Sequence, residues 1–198
     1  VQKGYPIRIT IEDVSGNVIS GLNLSGVKVE YTEPGYQYQM IGVDTVKVDY
    51  SLSDLWNKRW VLKDVVVIHP QVQLKQTKEG RWLIPRFKKA KGLRKTGLFD
   101  FQIEQLALRG GRIDLSAQSD TVSLASLSLQ GKLVKDRQGW HVLVSEGSLV
   151  YRQDTLQVLS FKTAFLFQEN ELKLDSLKLA TNWGSFGLGG KIKLESKP

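Results

Sequence analysis

Apolar residues in this chain recur in a pattern that few folds can satisfy: two apolar positions spaced by one residue, a two-residue gap, then two more. Leu22/Leu24 is followed by Val27/Val29, Ile41/Val43 by Val46/Val48, and Trp60/Leu62 by Val65/Val67. The pattern returns at Phe101/Ile103 with Leu106/Leu108, at Val122/Leu124 with Leu127/Leu129, and at Leu172/Leu174 with Leu177/Leu179. Within each pair the spacing is that of a β-strand with one apolar face. Across the gap strict alternation fails, so a flat strand would send the second pair to the wrong side. A bulge, or a bend between two shorter strands, returns both pairs to one side and curves the sheet. The first three copies start at 22, 41 and 60, and Val27-Lys28-Val29-Glu30-Tyr31 is nearly repeated by Val46-Lys47-Val48-Asp49-Tyr50. Each unit therefore resembles the last, as in architectures that extend by repetition.

Alternation of period two also runs through Ile7-Arg8-Ile9-Thr10-Ile11, and turn signals such as Pro34-Gly35, Glu79-Gly80, Gly110-Gly111 and Gly189-Gly190 punctuate the chain. These features predict an all-β, mainly antiparallel sheet wetted on one face, built from roughly thirteen to sixteen short strands. One short helix is expected near 52–58, with Ser51 or Ser53 as its N-cap.

A dozen strands each showing two large aliphatics would expose far more apolar surface than a soluble monomer normally does. The sheet can pack on a second one as a sandwich, close into a barrel, or curl into a trough that holds a greasy ligand. Hairpin spacing in the second half leaves few of the long crossovers that a Greek-key sandwich needs, which leans toward the trough. Periodicity alone leaves trough and sandwich open. An outer-membrane barrel would need aromatic girdles and longer uninterrupted strands.

The net charge of +8 invites a nucleic-acid reading. Its location argues otherwise. Arg86, Lys88, Lys89, Lys91, Arg94 and Lys95 crowd the segment between Pro85 and Gly97 with no anion among them. Of 28 Lys and Arg, the 22 outside that segment nearly balance 20 Asp and Glu, and Phe87 is the one aromatic within the cluster, unlike a stripe with interleaved stacking aromatics. The segment reads as a solvated loop or as a contact for anionic headgroups or an acidic partner.

Catalysis finds little support in the residues. The two imidazoles, His69 and His141, have no His or Cys at metal-ligand spacing, and the chain has no Cys. The acidic pairs Glu12-Asp13, Glu30/Glu33 and Glu169/Glu171 fall near predicted turns, no G-x-S-x-G elbow occurs, and the Gly184/Gly187/Gly189/Gly190 cluster lacks the helix a phosphate loop requires. Neither an enzyme nor a bound metal or cofactor is expected. Trp60, Trp82, Trp140 and Trp183 are expected to pack in the sheet or at its edges, and Tyr31, Tyr36, Tyr38 and Tyr50 to cluster in the first third.

The stretch Val46-Lys47-Val48-Asp49-Tyr50-Ser51-Leu52, Leu55-Trp56-Asn57-Lys58-Arg59, Leu62-Lys63-Asp64-Val65-Val66-Val67, Pro70-Gln71-Val72-Gln73-Leu74 and Glu79-Gly80-Arg81-Trp82-Leu83-Ile84-Pro85 resembles the amino-terminal region of the AsmA/TamB family. Phe101 to Leu115 and Leu172 to Ile192 look like that family's groove repeats. The dense basic insertion after Pro85 departs from the pattern, and the membrane anchor expected before Val1 is absent from this sequence. The resemblance implies a long curled sheet, U-shaped in section like a taco, whose hydrophobic interior conducts phospholipids between the two membranes of a diderm envelope. It also implies a periplasmic location with an inner-membrane anchor, association with outer-membrane proteins of the BamA type, and a role in their assembly.

On this reading residues 1–198 form one repetitive β-groove segment of a longer protein, with N-terminal repeats over 1–84, a basic loop over 85–97 and groove repeats over 98–198. Phe101, Ile103, Leu106, Leu108, Leu124, Leu127, Leu129, Phe161, Leu172, Leu174, Leu177, Leu179 and Leu188 would line the groove and meet phospholipid acyl chains. Arg86, Lys88, Lys89, Lys91, Arg94 and Lys95 would contact anionic headgroups or a partner. Nucleic acid is not an expected partner. The competing reading is a non-catalytic β-sandwich adhesion or binding module whose same residues form a closed core.

Overall fold

The computed structural model describes residues 7–17, 19, 21–57, 59–84, 101–117, 120–136, 139–151, 157–168 and 171–193. The expected basic loop, with Arg86, Lys88, Lys89, Lys91, Arg94 and Lys95, lies outside the described residues. The strands are β1 (Ile7–Thr10), β2 (Asp13–Asn17), β3 (Gly21–Glu33), β4 (Tyr36–Tyr50), β5 (Trp60–Ile68), β6 (Gln71–Lys75), β7 (Phe101–Ala117), β8 (Asp120–Lys135), β9 (Trp140–Tyr151), β10 (Gln157–Gln168), β11 (Glu171–Thr181) and β12 (Gly184–Lys193). They form one 12-stranded sheet in the order β1-β3-β4-β5-β7-β8-β9-β10-β11-β12, with β2 beside β3 and β6 between β4 and β7. The all-β, mainly antiparallel expectation holds. In place of thirteen to sixteen short strands, the described residues form twelve strands of up to 17 residues, because most pair–gap–pair runs are single strands that bulge.

Helix α1 (Leu52–Trp56) is shorter than the expected 52–58. It starts with the Asp54 amide donating to the Ser51 carbonyl, at 3.1 Å, and ends where Arg59 reaches back to Asp54, at 3.0 Å. Five residues cannot sustain a helix alone, and this one rests on β5.

β5 and β6 are two pieces of one interrupted strand. Both lie between β4, to which they are antiparallel, and β7, to which they are parallel. The interruption falls at Pro70, which has no N–H to give to a ladder. There the chain bypasses the gap with His69 N donating to Arg109 O (2.8 Å) and Arg112 N donating to Pro70 O (2.7 Å). The parallel pairing of β6 with β7 departs from the hairpin order of the rest, and requires a crossover between Lys75 and Phe101.

The gaps in the apolar pattern line up across the sheet as two transverse creases. The first runs through Gly26, Asp44, His69–Pro70, Gly110, Ser126 and Leu159, bracketed by register shifts in β7, β8 and β10. Four residues in it have left-handed backbone: Gly26 (φ 60°), His69 (49°), Gly110 (66°) and Ser126 (52°). The second runs through Lys63, Glu104–Gln105, Ser145 and Asp175–Ser176, each an extra residue set against its neighbour's ladder. A bulge bends its strand, so a row of bulges folds the sheet along a line. Two such rows divide the sheet into a floor and two walls. The floor, Gln105 to Arg109 in β7, is about 13 Å across at about 3.3 Å per residue.

One corner of the apolar face is covered by the chain itself. After β6 the strand turns at Thr77–Gly80, with Thr77 N donating to Arg81 O (2.8 Å), and Trp82 bridges back to Gln76. This strap seats Leu83 on Tyr31 and Met40, with Val29, Tyr38, Ile41 and Leu74 around them. The closed core is confined to that corner. All described strands belong to one sheet, so the alternative of a sandwich with a second layer is not the architecture found.

Candidate functional site

Cross-strand partners share a face, so the ladders show directly what the apolar side of the sheet presents. Read from strand to strand, its partners form rows across the strands. One row runs Leu24, Val46, Val67, Leu108, Leu129, Gly147, Phe161, Leu179, Phe186. The next runs Leu22, Val48, Val65, Leu106, Gly131, Val144, Thr163, Leu177, Leu188. Toward one lip lie Tyr50, Leu62, Ile103, Leu133, Val142, Phe165 and Leu174, and beyond them Trp60, Phe101, Lys135, Trp140, Phe167 and Leu172. Toward the other lie Val29, Ile41, Val72, Ile113, Leu124 and Tyr151. The gaps that break alternation in sequence are what keep these rows unbroken in space.

These rows are half-covered. Ile103, Leu127, Val65 and Val144 are buried, while Leu106, Leu108, Leu124, Leu129, Phe101, Phe161, Leu172, Leu174, Leu177 and Leu179 are intermediate and Leu188 is 64% exposed. A closed core would hide positions of this kind almost completely. Apart from α1 on β5, the extensive contacts between described elements are all between ladder neighbours, so what cover these residues have comes from the strands beside them. The apolar side is open.

Every expected lining residue lies on this side. Leu127 and Ile103 sit deepest among them, each at 8% exposure, Leu127 opposite Gly111, which leaves it room. Phe161 lies flat over Gly147, where any Cβ would strike its ring. The structure adds the N-terminal third, Leu22, Leu24, Val46, Val48, Val65 and Val67, whose pair–gap–pair spacing was visible in the sequence but whose place in the same rows depends on the parallel β5–β7 seam. It also adds Val142, Val144, Phe165 and Phe167, and the strap's Leu83.

Aromatics gather where strands end. Trp60, Phe101, Trp140 and Phe167 share the lip row, with Phe101 and Trp140 edge-to-face at 6.0 Å. Trp56 on α1 is 90% exposed, and Trp183 projects from the β11–β12 turn. On the opposite side of the first crease, Tyr31 and Tyr38 pack at 5.7 Å under the strap. Their hydroxyls donate to Glu33 (2.8 Å) and to the Leu83 carbonyl (2.9 Å), and burial raises the pKa of both above the ordinary tyrosine value. Arg81 pairs with Glu33 at 2.9 Å, which raises its pKa further, and Lys75 lies 4.9 Å above the Tyr38 ring.

The two histidines are engaged locally. His69 Nδ1 is 2.9 Å from Asp44 across the first crease. His141 Nε2 lies 3.1 Å from Asp136 without hydrogen-bond alignment. Among the described residues no three His, Asp or Glu are grouped to hold a metal ion, and no helix is long and apolar enough to cross a membrane. No family model, curated protein or solved structure matches the chain.

Proposed function

We propose that the chain is a lipid-conducting segment that carries phospholipids through the periplasm between the inner and outer membranes of a diderm envelope. The observation that supports this reading is the uncovered apolar face, continuous in rows across the sheet and bent along two creases into a trough. An acyl chain of sixteen carbons leaving a bilayer forfeits roughly 12 kcal/mol of burial, at about 0.8 kcal/mol per CH₂. A trough whose lining is the same at every strand returns much of that at every step, so movement along it meets no deep well and needs no chemistry. Where lining side chains are half-covered by their neighbours, an acyl chain supplies the other half.

The resemblance to AsmA/TamB proteins extends the reading to an inner-membrane anchor, a BamA-type outer-membrane partner and a role in outer-membrane protein assembly. The chain's own residues supply the lipid part alone. A photo-crosslinking amino acid placed at Leu129 or Leu177, both half-covered and on adjacent floor rows, is expected to capture phospholipid in the cell. The same probe at Lys173, whose partners Leu166 and Lys191 lie on the outer face, is expected to capture none. Capture of protein alone from the two inner positions would refute the reading.

A further inference from the structure

The rows that line the trough contain one formal charge among their described residues, Lys135, and it stands in the lip row. It is the last residue of β8, directly opposite Phe101 on β7 and Trp140 on β9. Its ammonium lies 5.2 Å from the centre of the Trp140 ring, which itself meets Phe101 edge-on. Among the described residues no ion pair involves Lys135, and the adjacent Asp136 is turned to His141. An ammonium in an apolar row keeps its stem on the greasy surface and its head at the edge of water. That head has an aromatic face beneath it and, among the described residues, no carboxylate in an ion pair with it.

We propose that Lys135 contacts the phosphate of a glycerophospholipid whose acyl chains lie on the floor. The position fits the molecule in cross-section. Chains occupy the rows of Leu106 and Leu108, the glycerol level falls at the aromatic lip, and the phosphate meets the cation just beyond it. Trp140 is amphipathic and rigid at the level where bilayers also collect such rings; packed against Phe101, it holds the ammonium in place before lipid arrives. The proposal rests on the lipid-conducting reading and adds to it a side: headgroups would run along the Trp60–Phe167 lip, away from the lip closed in part by the strap.

The test uses the whole chain, incubated with detergent micelles carrying either dioleoylphosphatidylglycerol or dioleoylglycerol, reisolated, and its bound lipid counted by mass spectrometry. The expected result is that Lys135→Met lowers retained phosphatidylglycerol about fivefold, the worth of one cation at an anionic surface, and leaves dioleoylglycerol unchanged. Lys135→Arg is expected to retain both, and excess inorganic phosphate to displace neither. A Lys135→Met variant that keeps phosphatidylglycerol at the original level would overturn the headgroup contact and leave the trough reading intact. Displacement by inorganic phosphate would overturn it in favour of a free-anion site. Retention of neither lipid by the unaltered protein would sink both.

Discussion

Leu83 is 2% exposed, and its amide and carbonyl are both engaged, by the Lys75 carbonyl at 2.8 Å and the Tyr38 hydroxyl at 2.9 Å. Truncating a side chain this enclosed removes its transfer energy and leaves a cavity, at a cost of about 2–4 kcal/mol. Leu83→Ala is therefore expected to free the strap and to speed hydrogen exchange at the Thr77 amide by roughly a hundredfold, with β9–β11 amides unaffected. Gly110 carries a different constraint. Its φ of 66° and the His69 ring 2.6 Å from where a Cβ would sit leave no place for a side chain. Gly110→Ala is expected to lower unfolding free energy in urea by about 1–2 kcal/mol, the ordinary penalty for a left-handed L-residue, and somewhat more if His69 does not move. The Gly110-Gly111 pair was legible in the sequence as a turn. It proved to be a crease inside a 17-residue strand, because β7 is held on both sides by neighbours and cannot reverse.

The strap over residues 76–84 joins the phenols of Tyr31 and Tyr38 and the Glu33–Arg81 pair to one buried leucine, which gives it a pH dependence of definite sign. Burial raises the Tyr31 and Tyr38 pKa values, and the Glu33 contact raises Tyr31 further. A phenol whose pKa is higher folded than unfolded stabilises fully below the unfolded value of about 10, and loses that contribution as pH rises through the folded value. The strap is expected to open above pH 10, with tyrosinate absorbance appearing together with a change in fluorescence that the Trp82→Phe variant lacks. A strap signal that stays flat while those tyrosines ionise would contradict this. Among the elements, bulged strands and the short helix were readable because pair spacing and a serine at the helix start, Ser51 or Ser53, are local signals. The parallel seam between β5–β6 and β7 was not, since an apolar row fits any neighbour equally well, and the choice is made by a crossover through residues that carry no strand pattern. Lys135 had a visible address, two positions after Leu133, but its isolation in the row emerges only once its cross-strand partners are known.

At the scale of the molecule, the question is what a charge does on the apolar side. Leu177 is half-covered between Thr163 and Leu188. In a sealed core an unpaired carboxylate there would cost several kcal/mol. On an open face it keeps its water and loses only cross-strand apolar contact, about 1–2 kcal/mol. Leu177→Asp is accordingly expected to leave the sheet folded, with chemical denaturation shifted by that small amount, while abolishing lipid capture from Leu129. A loss above about 4 kcal/mol would mean that another layer closes over the row. Leu127, being buried against Gly111, is the wrong place for this experiment.

The alignment of the two creases separates the trough's bore from its reach. Bore is set within each strand, by where the extra residues fall. Reach is set by the number of strands laid side by side. Adding or removing a whole hairpin such as β11–β12 lengthens or shortens the trough at constant gauge, whereas dropping a single residue such as Ala107 between the creases would turn everything beyond it in β7 inside out. Length in such a protein is therefore free to drift in steps of two strands, while the spacing between bends is held residue by residue.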